Sequence, residues 1–311
     1  MAVTLMAILP IFGLILVGWG ARRTGVLGPN AGGELNRFVV WLALPALLFD
    51  IVAHAKVADI WQPGFIGAFG LSCILVFAAT IALRWKGRQR LADAALDALN
   101  AGYANTAFLG FPIVMAVIGR EAMTAATLAT LITVCALFAV AVVLIEVGLQ
   151  AEQAPHKLAL KVAVSVAKNP LVAAPAIGAL FLVAGLSVPA PAEQALSLLG
   201  SAASPCALVA LGLFLGEPRP AVAGTTRASS LLILCKLFVQ PLAAWLLATS
   251  VFGLSPLLTR AAVLLAALPT GTGPFMLAEF YRREADVTAR AVLLSTIASV
   301  VTAPAWLAVV G

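Results

Sequence analysis

The chain is a succession of apolar runs separated by short polar breaks, each run close to the roughly 20 residues a helix needs to cross a hydrocarbon core. No water is available in that core, so every backbone amide and carbonyl must be satisfied within the protein, and runs of this kind predict helices. Ten can be marked. They cover residues 2–21, 37–53, 63–83, 94–118 and 122–148, then 169–186, 195–215, 228–252, 257–281 and 287–310. The balance of residues agrees: 62% are hydrophobic and only 10% charged, against about 25% charged in a soluble domain. The first run lacks a basic start and a small-residue cleavage site before Arg22, so it reads as a span and not as a cleaved leader. The expectation is an all-α polytopic membrane protein with ten transmembrane helices.

A formal charge of +6 could suit a nucleic-acid binder. Here, however, the basic residues crowd beside apolar spans, which points to the membrane surface and to insertion topology. No nucleic-acid partner is expected. Odd-numbered connections carry Arg22, Arg23 and Arg37; Arg84, Lys86, Arg88 and Arg90; Lys157, Lys161 and Lys168; Arg219 and Arg227; and Arg282, Arg283 and Arg290. Even-numbered connections hold only Lys56, Arg120 and Arg260. The imbalance predicts cytoplasmic odd loops and both termini outside.

Five spans per half is an odd number, so the second half must insert upside down relative to the first. Residues 1–149 make the first repeat, 150–168 a cytoplasmic linker with an amphipathic C-terminal part, and 169–311 the inverted second repeat. A shift of about 160 residues lays Pro10 on Pro170, Gly18 on Gly178 and Pro45 on Pro205, and brings Pro112 close to Pro274.

The fourth span of each half is interrupted. The first reads N-A-G-Y-A-N-T-A-F-L-G-F-P from Asn100 to Pro112, and the second L-P-T-G-T-G-P-F from Leu268 to Phe275. Proline removes a donor and clashes with the turn before it, and glycine lowers the cost of unwinding. The backbone groups so freed must face protein or a water-filled cavity. Half-helix N-termini offer open amides and partial positive charge, which suits an anion. Two broken helices at matching places in opposed halves therefore point to a binding site near the bilayer midplane. Asn105, Thr106, Thr270 and Thr272 either bond a substrate carboxylate or cap the broken ends. Lys236 lies nine residues after Arg227, about 13 Å along the helix. It either attracts the anion and changes protonation, or is held by Glu279 or by carbonyls. Glu279 itself either lines an exit path or is an interfacial carboxylate. Asp50 and Glu146 sit near span ends, and His54 and His156 in loops.

Enzyme signatures are missing: no H-E-x-x-H, no Walker-type phosphate loop, no paired intramembrane aspartates. Cys73, Cys135, Cys206 and Cys235 have neither zinc nor redox spacing. No cofactor or metal is expected.

The segment from Asn105 to Pro112, with the apolar stretch to Gly119, resembles the signature region of the auxin efflux carrier family. So do Leu268 to Tyr281 and Ser295 to Ile297, and the segments Gly18 to Gly25 and Leu44 to Phe49. The resemblance spans nearly the whole chain. It implies the inverted-repeat fold of bile-acid/sodium symporters, with the fourth and ninth helices as broken crossovers. Helices 1, 2, 6 and 7 would form a scaffold, and helices 3–5 and 8–10 a mobile transport unit moving as an elevator. Carried over to this chain, Asn105 and Pro112 belong to the first crossover and Pro269 and Pro274 to the second. Gly110 joins them as a candidate binding residue, and Asn100, Tyr103 and Glu279 are candidates for coupling or gating. The implied function is a secondary carrier of small organic anions in a bacterial inner membrane, with a homodimer through the scaffold helices. The short linker, without the long loop of many plant members, favours a bacterial relative. A sodium-coupled symporter of the same fold, or a membrane sensor or channel, is the competing expectation.

Overall fold

The computed structural model describes residues 2–55, 61–85, 90–150, 155–218 and 225–311. Lys56, Lys86, Arg88, Glu152, Gln153 and Arg219 lie outside them, as does the side chain of His156. The described chain is helical throughout, apart from connections and one isolated antiparallel bridge. Its helices are α1 (Ala2–Thr24), α2 (Ala31–Ala53), α3 (Pro63–Arg84), α4 (Leu91–Gly102), α5 (Thr106–Val117), α6 (Arg120–Leu149), α7 (Pro155–Lys168), α8 (Pro170–Ala184), α9 (Ala190–Gly216), α10 (Thr225–Val251), α11 (Pro256–Ala267), α12 (Gly273–Tyr281) and α13 (Ala285–Val310).

Six of these, α2, α3, α6, α9, α10 and α13, are long and apolar enough to cross a membrane, and the bent pair α7–α8 adds a seventh if it counts as one span. The two runs expected to be interrupted come out as α4 with α5 and α11 with α12, none longer than 12 residues. Proline and glycine divide each run, so neither piece spans about 30 Å alone. Helix starts precede the apolar runs in α2 and α9, where Glu34 and Glu193 occupy first turns. A carboxylate there complements the positive N-terminal end. Between α7 and α8 the axis turns by 76° at Asn169, whose side chain caps α8 by accepting from the Leu171 amide at 3.0 Å.

Three helices widen into π-helical turns just ahead of a proline: Val39–Ala43 before Pro45, Thr106–Gly110 before Pro112, and Cys235–Val239 before Pro241. Proline lacks the amide that would bond the carbonyl four residues back, and its ring pushes that carbonyl away. At Pro241 the carbonyl set free belongs to Leu237, and the Trp306 indole of α13 donates to it at 2.8 Å.

Packing is reciprocal. The first long helix, α1, lies along the second half of α9, while α8 lies along the second half of α2. Small residues set both crossings. A Cβ on Gly18 would meet the Val209 carbonyl of α9, one on Gly212 would meet the Ile15 carbonyl of α1, and one on Gly178 would meet the Phe49 carbonyl of α2. The remaining long helices form a second group, in which α4 packs between α3 and α6 and α11 between α10 and α13. The groups meet where α12 touches α2 and where α1 touches α5 and α13.

Because the obstructing atoms are backbone, the α1–α9 crossing has little room to adjust. Gly18→Val should lower unfolding stability by about 1–3 kcal/mol, the usual cost of overpacking. Gly13→Ala, where nothing lies within 4 Å of the added methyl, should not. A thermal-unfolding scan of the detergent-solubilised variants reads the difference.

Candidate functional site

The breaks in α4–α5 and α11–α12 meet in the interior of the second group. Residues 103–105 and 268–272 run antiparallel and exchange main-chain hydrogen bonds: the Asn105 amide donates to the Pro269 carbonyl at 2.9 Å, and the Gly271 amide to the Tyr103 carbonyl at 3.2 Å. Ala104 and Thr270 form the bridge between them. Each unwound strand thus satisfies groups that the other has freed.

The surrounding side chains take up further main-chain groups, although Asn100 Oδ1 and Gln240 Oε1 stay buried without a hydrogen bond. The Thr270 hydroxyl donates to the Asn100 carbonyl at 2.8 Å, and the Thr270 amide donates to the Ser295 hydroxyl of α13 at 3.1 Å. Asn100 donates its amide to the Thr288 hydroxyl at 2.9 Å. The C-terminal ends of both half-helices are held from a single helix, α10. Gln240 donates to the Gly102 carbonyl at the end of α4 at 3.0 Å, and Lys236 donates to the Ala266 carbonyl at the end of α11 at 2.6 Å. Their i, i+4 spacing puts both on one helix face, and both are fully buried.

The crossing separates the expected residues by role. Thr106 shares a 2.7 Å hydrogen bond with Thr133 of α6, and Thr270 is committed to the knot itself. Gly110 packs its backbone near Leu265 of α11. Pro112 follows the widened turn of α5, Pro269 supplies an accepting carbonyl, and Pro274 opens α12. Asn105 and Thr272 precede the first turns of α5 and α12, and neither side chain makes a capping hydrogen bond. Thr272, Gly273 and Tyr103 face a narrow crevice shared with Leu47 of α2, Val134 of α6 and Ala207 of α9. That crevice holds about 10 Å³ for water centres, near the room of one water. Tyr103 also packs on Phe138, ring centroids 5.8 Å apart.

Glu279 stands elsewhere, on the wall of a cavity of about 910 Å³ at the end of the molecule formed by the α1–α2 and α12–α13 connections and the end of α9. Charged residues line it, among them Arg22, Arg37, Arg282 and Glu284. Arg22 pairs with Glu217 at 2.9 Å. Asn36 forms the inner wall, buried, with its amide 3.4 Å from the Met276 carbonyl and its Oδ1 without a hydrogen bond. Glu146 and His54 are both engaged: Glu146 accepts from the Tyr281 hydroxyl at 2.8 Å, and His54 sits between Asp50 and Glu193.

Gln240, Thr288 and Asn36 were not singled out by the sequence reading. For Gln240 a signal existed: a second polar residue one helical turn beyond Lys236 in an apolar span. Thr288 and Asn36 sit near span ends, where polar residues are unremarked, and only the folded chain brings them to α4 and α12.

Thr270→Val keeps the shape but leaves the Asn100 carbonyl without its donor, and Gln240→Met does the same to Gly102. Each should cost about 1 kcal/mol or more of stability, read as a lower unfolding midpoint in detergent.

A family described as membrane transport protein matches residues 3–307. A "Putative malonate transporter" of Rhizobium meliloti (strain 1021) is 29% identical over 303 residues, covering 95% of this chain and 92% of that one. An "Uncharacterized transporter YfdV" of Escherichia coli (strain K12) is 25% identical over 311 residues, covering 96% and 95%. An "Uncharacterized transporter" of Methanothermobacter thermautotrophicus is 27% identical over 305 residues, covering 96% of each chain. With the match running almost end to end and every named relative a transporter, the chain belongs to the membrane transport protein family, that of the auxin efflux carriers.

Proposed function

We propose that the protein is a secondary carrier of small organic anions, malonate-like dicarboxylates foremost, which binds its substrate at the helix crossing. The carrying observation is the pair of half-helix N-termini, α5 and α12, that begin side by side at the knot with Asn105 and Thr272 uncommitted in front of them. First-turn amides have no intrahelical partners and a helix N-terminus bears partial positive charge. A carboxylate seated there gains hydrogen bonds without needing a cation beside it. The malonate named for a relative is consistent with this chemistry.

In the same reading the chain is a ten-span inverted repeat. The reciprocal packing of α1 on α9 and α8 on α2, with Gly18 and Gly178 at equivalent crossings, supports it. So do the two broken helices. The group α1, α2, α8 and α9 is the scaffold. The other group carries the crossing and moves past it as an elevator, and a homodimer would form through scaffold surfaces. The 910 Å³ cavity, walled in part by arginines, is the approach from the side of the odd-numbered loops, assigned to the cytoplasm by charge. Lys236 serves the anion through α11: by holding the Ala266 carbonyl it offsets the negative end of that half-helix.

Malonate should raise the unfolding temperature of the purified protein and exchange across proteoliposome membranes in saturable counterflow. Asn105→Ala should weaken binding about tenfold or more while leaving the protein monodisperse, and Lys236→Arg should retain more affinity than Lys236→Ala. Unaltered uptake by Asn105→Ala would remove Asn105 from the site. Conductance without saturation would replace the carrier with a channel.

A further inference from the structure

The end of α3, the first turns of α4 and the α12–α13 connection bring together three carboxylates and two guanidiniums, of which Arg283 and Glu284 line the cavity. Arg283 grips Asp93 with two parallel bonds of 2.5 and 2.8 Å, and Arg84 donates to Asp97 at 2.6 Å. Two cations thereby answer two carboxylates. The third, Glu284, has no guanidinium partner among the described residues, and it lines the cavity. Asp97, 1% exposed, keeps one oxygen, Oδ1, buried without a hydrogen bond. An ionised carboxylate oxygen with no partner in a buried place is costly, whereas a proton placed there or on the neighbouring glutamate removes the excess negative charge.

The cluster is also wired to the crossing. Asp93, Asp97 and Asn100 follow one another at i, i+4 and i+7, one face of α4. Asn100 bonds Thr288, whose amide donates to the Glu284 carbonyl at 2.9 Å, and the Asn100 carbonyl accepts from Thr270 of the knot. Asn100 therefore ties the end of α4 both to the first turn of α13, which Glu284 precedes, and to the place where the two broken helices meet.

We propose that Glu284, with Asp93 and Asp97, forms a proton-binding site through which carboxylate transport draws on the proton gradient. The inference rests on the carrier reading above and names its coupling ion. A proton enters from cavity water, resides on the carboxylate cluster while the anion occupies the crossing, and leaves to water on the far side, so that one bound positive charge accompanies the anion. Every member of the cluster belongs to the group that carries the crossing, as a site that must travel with the substrate requires. The charges facing Glu284 are Asp97 and Asp93 from α4, Arg84 from α3, and Arg283 beside it in the chain. Arg282 and Asp286 flank it, and Arg22, Glu34, Arg37, Glu217 and Glu279 line the same cavity. Burial, and then the two aspartates, push the Glu284 carboxyl from 4.5 to about 7. A carboxyl whose folded-state value is raised binds protons more tightly when folded, so its effect is a stability that falls as pH rises from about 4.5 to about 7.

Two measurements test the site. Proteoliposomes loaded with malonate and a pH-sensitive dye report counterflow and proton entry together. Wild type should show both exchange and acid-driven accumulation with internal acidification; Glu284→Gln and Asp93→Asn should keep exchange and lose about tenfold or more of the acid-driven accumulation. Exchange in wild type with accumulation indifferent to the proton gradient would overturn the coupling while leaving the carrier intact. Absence of saturable exchange with any small carboxylate would instead overturn the carrier reading. The second measurement needs no substrate. The unfolding temperature of wild type in detergent should fall between about pH 5 and pH 7, and that of Glu284→Gln should be flat over the same range. Identical profiles would dismiss the proton site whatever the transport assays give, and should Glu284→Gln not fold, Asp97→Asn and the wild-type dye signal decide in its place.

Discussion

The meeting of the two broken helices depends on the antiparallel exchange of main-chain hydrogen bonds between residues 103–105 and 268–272. Unwinding a helix inside an apolar protein strands amides and carbonyls that have no water to turn to, at a cost of several kcal/mol for each group left alone. One broken helix would have to find partners among side chains. Two broken helices crossing at their breaks supply most of the partners to each other. The arrangement fixes both half-helix N-termini in one place, and the ends of four short helices become a single rigid object.

Side chains then make the two ends of each broken helix unequal. At a crossing, the negative C-terminal ends of α4 and α11 lie next to the positive N-terminal ends of α5 and α12, and left to themselves their fields would largely cancel. Helix α10 alters the balance by donating an amide to one C-terminal end and an ammonium to the other. Thr270 takes up a further carbonyl near the end of α4. With these carbonyls occupied, the N-terminal amides are the groups that the proposed reading leaves to an anion. In the proposed reading Lys236 favours an anion without touching it, through the Ala266 carbonyl.

Much of this architecture could be read from the chain before folding, for definite reasons. The breaks at Asn100 to Pro112 and Leu268 to Phe275 were legible because proline and glycine act locally and their effect does not wait on tertiary contacts. The crossings at Gly18 and Gly178 were visible only as a coincidence under the 160-residue shift, since a glycine's neighbour cannot be known until helices pack. From the sequence alone the role of Lys236 stays open between the anion, Glu279 and carbonyls, because a lone charge in an apolar run identifies a cost without naming what offsets it. The cluster of Asp93, Asp97, Arg84, Arg283 and Glu284 was not legible at all. Its members come from three separated segments, each near a span end, where charged residues are ordinary.

In the proposed reading that last group separates the task of coupling from that of holding the anion. The proposed site at the crossing offers backbone groups and the side chains of Asn105 and Thr272, and no carboxylate is among the residues expected there. Asp93 and Asp97 stand earlier on the face of α4 that carries Asn100, whose amide bonds Thr288 of the first turn of α13. A carboxylate cluster placed in the binding crevice would compete with the anion by direct repulsion, which at contact distance amounts to about 4 kcal/mol even with effective screening of ε near 20. Moved along the same half-helix and given two guanidiniums for its three carboxylates, it can change charge with little direct penalty to the bound anion. Asp93, Asp97 and Asn100 share one face of the same short helix, so the proposed reading has a change of charge at its first turns bear on its end, where the knot satisfies the carbonyls.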